Sequence, residues 1–189
     1  NLKTQNKQRL ATAKKLDKRV NSQGVRVASL KDEAQALRDL LQSLAQQKSV
    51  KSISKQPFAS LKGQLTWPVN GKVIARYGSS RKLGKLTWQG IMIKSAAGRE
   101  ITAAAVGRVV FSDWLRGFGL LLIIDHGDKY MTLYGNNQSL LKEVGDTVNA
   151  GELVALSGNQ GIKQYAGLYF ELRHQGNPTD PVKWLGKRS

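Results

Sequence analysis

The chain has 189 residues, enough for one domain of ordinary size plus an appendage, and it contains no cysteine, which excludes disulfides and thiolate metal sites. Its net charge of +17 would suit an anionic partner, but residues 1–55 carry 13 Lys/Arg against 4 Asp/Glu and residues 56–189 carry 17 against 9, so the charge is spread and forms no single stripe. With no nucleic-acid motif in view, the expectation is attraction to acidic protein or envelope surfaces.

In chain order, the opening Asn1-Leu2-Lys3-Thr4-Gln5 does not read as a signal peptide, and no run of 18 apolar residues follows. The expectation is of a fragment with an internal start. Val27, Leu30, Ala34, Leu37, Leu41 and Leu44 step by three and four, predicting a helix that buries one seam, with Val20 and Leu16 continuing the phase less cleanly past Gln23 and Gly24. A lone seam must meet something. Three partners would satisfy it: an antiparallel helix, another copy of the chain, or a groove on the segment that follows. Residues 1–47 are therefore expected to be a helical coiled-coil or regulatory segment.

Residues 48–62 are mostly polar and broken by Pro57, predicting a flexible linker. Of 19 glycines one precedes residue 63 and 18 lie from Gly63 onward, a shift that places a second domain at 63–189. There, apolar runs recur between glycines at 90–94, 107–112, 120–126, 130–134, 152–157 and 167–173, the spacing of antiparallel sheets folded over each other. Leu120-Leu121-Leu122-Ile123-Ile124 is apolar on both faces and reads as a central strand. The stretch Gly167-Leu168-Tyr169-Phe170-Glu171-Leu172-Arg173 alternates, predicting a half-buried strand with Tyr169, Glu171 and Arg173 facing a cleft.

Five segments in order carry a family resemblance: Trp67-Pro68-Val69; Gly98 to Val110; Gly117-Phe118-Gly119 with Ile123-Ile124-Asp125-His126-Gly127; Val144 to Glu152; and Gly167 to Arg173. Over residues 65–185 the chain resembles the LytM-type zinc endopeptidases of cell-wall peptidoglycan. The resemblance implies a mainly β fold, an antiparallel β-sheet LytM-type domain of duplicated hybrid motif-like architecture. In the active members a zinc rests on the His and Asp of His-x-Gly-x-Asp and the second His of His-x-His. Here Trp88 and Met92 stand in the first motif and Tyr169 in the second, and none of these suits Zn²⁺. Two further histidines of the family are replaced by Asn136, in Leu133-Tyr134-Gly135-Asn136, and by Gly167. No metal and no cofactor is expected, and no catalysis.

The remaining histidines do not repair the loss. His126, in Ile-Asp-His-Gly at a strand end, is expected to be structural, and His174, out of phase with the cleft face, to lie at the surface. Trp88, Gly90 and Met92 should share one face, with Ile91 and Ile93 on the other. The emptied cleft would then be lined by Trp88, Met92 and Tyr169 near Tyr134 and Asn136, and ringed by Gln89, Phe118 and Arg173. Such side chains either plug an abandoned cavity or anchor a protein partner; the polar and aromatic ring favours the second.

Within the LytM-type family the degenerate motifs are similar to those of the murein hydrolase activators of Gram-negative cell division. That similarity implies a periplasmic, non-catalytic protein that stimulates N-acetylmuramoyl-L-alanine amidases under control of the FtsEX complex through its coiled coil. It places the amidase contact at Gln89, Met92, Phe118, Tyr169 and Arg173, with the helix a candidate to occlude the same groove. The rival readings are a peptidoglycan-binding scaffold and a zinc endopeptidase. A lipoyl or biotin carrier shares the Val-Gly-Asp-x-Val-x-Ala-Gly turn but needs a lysine at its hairpin tip, which is lacking.

Overall fold

The computed structural model describes residues 2–47, 54–81, 85–159, 161–162 and 165–188. Helix α1 runs through Leu2–Gln46, 45 residues without a break, so Gly24 does not end it. A glycine inside an exposed helix costs about 1 kcal/mol relative to alanine, an amount a helix of this length absorbs. The seam is real over its second half: Leu37, Leu41 and Leu44 are buried, while Val27, Leu30 and Ala34 are half-buried. Its extension backward is not covered, since Leu16 and Val20 are 57% and 60% exposed.

What meets the seam is the β structure itself. Among the described residues ten strands follow: β1 (Val73–Ala75), β2 (Ile91–Lys94), β3 (Glu100–Thr102), β4 (Gly107–Leu115), β5 (Gly119–Asp125), β6 (Tyr130–Leu140), β7 (Thr147–Val148), β8 (Leu153–Ser157), β9 (Gly167–His174) and β10 (Asn177–Thr179). Their main path is β1-β2-β9-β6-β5-β4-β7, with β8 joining β6 to β3 and β10 on β9, and these strands pair antiparallel. The two faces of β5 explain its sequence. Leu122 and Ile124 enter the main core with Ile91, Ile93, Tyr134, Leu168, Phe170 and Leu172. Leu121 and Ile123, with Leu133, meet Leu37, Leu41 and Leu44 of α1. The last turns of the helix are thus a second hydrophobic layer over β5 and β6.

Three sequence expectations change. The strand at Gly167–His174 is buried on both faces, because the cleft side is covered where a half-exposed face was predicted. Strand β6, read as ending at Tyr134, runs six residues further, through a bulge at Gly135 and Asn136. Phe58, assigned to the linker, is buried within a 3₁₀ turn at Phe58–Leu61, stacked on His126 and Tyr130 with ring centroids 4.8 and 4.7 Å away. The linker's residues 48–53 lie outside the described residues.

Candidate functional site

Strands β2 and β9 pair with Met92 opposite Tyr169 and Ile93 opposite Leu168. Alternation then sends Met92, Tyr169, Glu171 and Arg173 to one face and Ile91, Ile93, Leu168, Phe170 and Leu172 into the core, as the pattern predicts. Trp88, before β2, joins Met92 and Tyr169 in a small cluster with Ala75 and Ile162. The three positions that would hold a metal are adjacent, and all three are occupied by packed aromatic or thioether groups. Met92 is wholly buried, and Trp88 and Tyr169 are 6% and 4% exposed. Among the described residues no group of three or more His, Cys, Asp or Glu could hold a metal ion. A zinc centre does not fit this donor set.

The polar groups behind the cluster form one chain. Tyr169 Oη donates to Glu171 Oε1 at 2.5 Å, and Arg173 Nε donates to Glu171 Oε2 at 2.6 Å. Arg173 Nη1 also donates to the Gly176 carbonyl at 2.9 Å. Glu171 is 1% and Arg173 7% exposed, so the pair is desolvated and held by mutual attraction and hydrogen bonds. Burial, and next the Glu171 charge, hold the Tyr169 phenol well above its ordinary pKa, so it remains a neutral donor. The room for Glu171 is bought by Gly90, whose added Cβ would lie 2.3 Å from the Phe170 carbonyl and 2.6 Å from Glu171 Cγ.

In front of these groups lies a cavity of about 420 Å³ lined by Trp88, Gln89, Phe118, Tyr169, Glu171 and Arg173 on the β side and by Leu30, Glu33, Ala34, Leu37 and Arg38 of α1. The helix is one wall of it. Arg81 and Lys85 make the far rim basic, with the Arg81 guanidinium 4.4 Å above the Trp88 ring. Glu33 lies over the turn at Gly117, where a Cβ would come within 2.5 Å of its carboxylate.

Of the eight expected contact residues, Trp88, Gln89, Phe118, Tyr169 and Arg173 line this cavity, and Met92 lies fully buried in the cluster beneath it. Tyr134 does not: it points to the opposite face, into the main core, where its oxygen accepts from the Ala104 N–H at 2.9 Å. The alternation of β6 puts it there. Asn136 is also fully buried and does not face the cavity. Sequence reasoning missed Ile162 and Tyr165, while the helix that walls the cavity was among its candidates to occlude the groove. Ile162 and Tyr165 sit in an irregular connection with no periodic signal, whereas the seam Leu30-Ala34-Leu37 was visible without its partner.

His126 is structural as expected. Its Nδ1 lies 2.7 Å from the Val106 carbonyl and its Nε2 2.7 Å from Thr132 Oγ1. His174 is partly covered, stacked on Tyr130 at 4.1 Å.

Residues 86–181 match the model of Peptidase family M23. The chain is 40% identical over 164 residues to the murein hydrolase activator EnvC of Escherichia coli (strain K12), covering 82% of this chain and 39% of that protein. It is 38% identical over 123 residues to the murein hydrolase activator NlpD of the same organism, covering 65% and 31%. It therefore spans less than half the length of these relatives. Among solved structures, a zinc containing peptidase from Vibrio cholerae superposes with a TM-score of 0.59 at 21% identity, over 65% of this chain and 40% of that one, a likeness of fold. The motif order, the antiparallel sheet and the match over half the chain agree: this protein belongs to Peptidase family M23.

Proposed function

We propose that this protein is a non-catalytic activator that binds and stimulates periplasmic N-acetylmuramoyl-L-alanine amidases during septal peptidoglycan splitting. The observation that carries the reading is the replacement of all three metal-ligand positions by Trp88, Met92 and Tyr169, packed as one cluster at the floor of an open-sided cavity. A side chain set that has lost zinc chemistry but keeps aromatic and basic groups at a concave surface suits protein recognition. Similarity to two relatives named murein hydrolase activators supports it.

The wall contributed by α1 supports a regulated form of this activity. A partner entering the cleft meets Leu30, Glu33 and Ala34, so apparent affinity falls with the fraction of molecules in which the helix is seated. The exposed stretch of α1 at residues 18–26 is then the natural handle for an upstream complex, FtsEX in this reading, to displace it.

The test is an amidase assay on purified peptidoglycan with the full chain added. Stimulation that is lost in Tyr169→Ala, at least tenfold in affinity, and kept in Lys142→Ala supports the reading, since Lys142 does not line the cavity and pairs with Glu152 at a partly exposed site. Retention on bare peptidoglycan with no stimulation of any amidase would favour a scaffold. Release of cross-link peptides by the chain alone would establish an endopeptidase.

A further inference from the structure

Asn136 stands where the family resemblance expects a catalytic histidine, yet it is wholly buried and its backbone is left-handed at φ 66°. The register explains both. Leu120 pairs with Asn137 and Leu122 with Tyr134, so Gly135 and Asn136 on β6 oppose the single residue Leu121 on β5. That is a β-bulge, and an asparagine is among the few non-glycine residues that accept the left-handed position it creates. The bulge turns the Asn136 side chain out of the sheet's alternation and toward the connection between β8 and β9.

There the carboxamide is used at both ends. Oδ1 accepts from the Gly161 N–H at 2.9 Å and the Ile162 N–H at 2.8 Å. Nδ2 lies 3.2, 3.1 and 2.9 Å from the carbonyls of Gly158, Tyr165 and Gly167 and donates to them, two hydrogens shared among three acceptors. The same connection is pressed against the sheet by missing side chains: a Cβ on Gly161 would lie 2.5 Å from the Phe118 carbonyl, and one on Gly167, at φ 133°, 2.0 Å from the Ile93 carbonyl. The position that the family resemblance gives to a second catalytic histidine is therefore a glycine that the close approach of β2 requires.

The consequence reaches the cleft. Ile162 packs into the cluster with Trp88, Met92 and Tyr169 and lines the cavity, and Tyr165 sets its ring edge-on to Trp88 at 5.8 Å. We propose that Asn136 is a positioning residue for partner recognition: its carboxamide holds the backbone of Gly158, Gly161, Ile162 and Tyr165 so that Ile162 and Tyr165 brace Trp88 and Tyr169, making part of the amidase-binding surface. This rests on the activator reading for the identity of the partner, though not for the hold on the connection.

The test uses the full chain. Asn136→Gly keeps the left-handed backbone and removes all the side-chain bonds. Amide hydrogen exchange at Gly161 and Ile162 should then rise at least tenfold while strands β5 and β6 stay protected, and amidase affinity should fall at least tenfold. Ile162→Ala and Tyr165→Ala, which leave Asn136 in place, should weaken the amidase severalfold with the exchange of β5 and β6 unchanged. Unchanged exchange in Asn136→Gly, or faster exchange with full affinity, overturns the proposal. If that variant unfolds, wild-type affinity in both alanine variants overturns it, and loss in either upholds it. A wild-type chain that binds no amidase defeats the activator reading, and the exchange result still decides whether Asn136 holds the connection.

Discussion

The Tyr169 hydroxyl and the Glu171 carboxylate, two residues apart on β9 and on the same face, meet at 2.5 Å while Arg173 holds the other carboxylate oxygen. A tyrosine standing where the active members of the family resemblance carry a metal-binding histidine is thereby locked to a buried anion. Glu171 is the hinge of the arrangement, because it satisfies a phenol and a guanidinium that both lie out of water.

Removing that carboxylate strands the guanidinium. Glu171→Ala should destabilise the fold by about 3–5 kcal/mol, the range for breaking a buried pair from one side. Tyr169→Phe removes one hydrogen bond and leaves the ion pair, so its loss should be about 1–2 kcal/mol. Urea denaturation of both variants gives the comparison; equal losses would show that Glu171 is not the shared partner. The same geometry makes Arg173→Ala a poor probe of binding, since it leaves Glu171 buried without its cation.

Zinc binding is expected to fail for a reason of donor chemistry. A thioether, an indole and a neutral phenol replace two imidazoles and a carboxylate, and the phenol's proton is already committed to Glu171. After incubation with excess zinc and gel filtration, elemental analysis of the full chain should find no stoichiometric metal. One equivalent retained, and lost on changing Trp88, Met92 or Tyr169, would contradict this.

Much of the fold was legible because alternation is a strong signal when one strand face meets a core. Ile91 and Ile93 against Trp88 and Met92, and Leu168, Phe170 and Leu172 against Tyr169, Glu171 and Arg173, fell on the predicted sides. The short strands β1, β3, β7 and β10 were not read, since two or three residues carry no period. The length of β6 was not legible for a different reason: the apolar run stops at Tyr134, and only the pairing register shows the strand continuing through a bulge at Gly135 and Asn136. The seam on α1 was visible, but its partner face was not, because the apolar surface of β5 that it covers reads equally well as a strand buried between sheets.

His126 predicts an acid limit to stability. Its Nδ1 faces a carbonyl, so that nitrogen carries the proton, and Nε2 must accept from the Thr132 hydroxyl. Thr132 Oγ1 in turn lies 3.0 Å from the Tyr134 hydroxyl, whose oxygen already accepts from the Ala104 N–H. A second proton on the imidazole would reverse this chain, and burial lowers the His126 pKa from 6.5 to about 4. The unfolded chain therefore binds more protons between these values. The stabilising contribution is complete above pH 6.5 and is lost as pH falls toward 4, amounting to about 3 kcal/mol at the low end. Melting temperatures from pH 7.5 to 4.5 should fall in the wild type and fall less in His126→Gln; parallel curves would rule the histidine out as the source.

Helix α1 performs two tasks that a single truncation would confuse. Leu37, Leu41 and Leu44 cover Leu121, Ile123 and Leu133, each of which is fully buried, so deleting the helix would expose an apolar face of the sheet. Leu41→Ala should accordingly cost about 2–4 kcal/mol of stability. One to two turns earlier, Leu30 and Ala34 are half-buried and border the cavity without entering that apolar layer. A charge at this point should unseat the cleft wall while the later leucines stay anchored. Leu30→Asp with Ala34→Asp is expected to raise amidase stimulation by the full chain severalfold at matched concentration, with its melting temperature within a few degrees of the wild type, because the substituted turns contribute little to the core. Wild-type stimulation in the double variant, with the helix still docked by amide exchange at Leu41, would mean that the seated helix does not obstruct the partner and that the cleft is open as it stands.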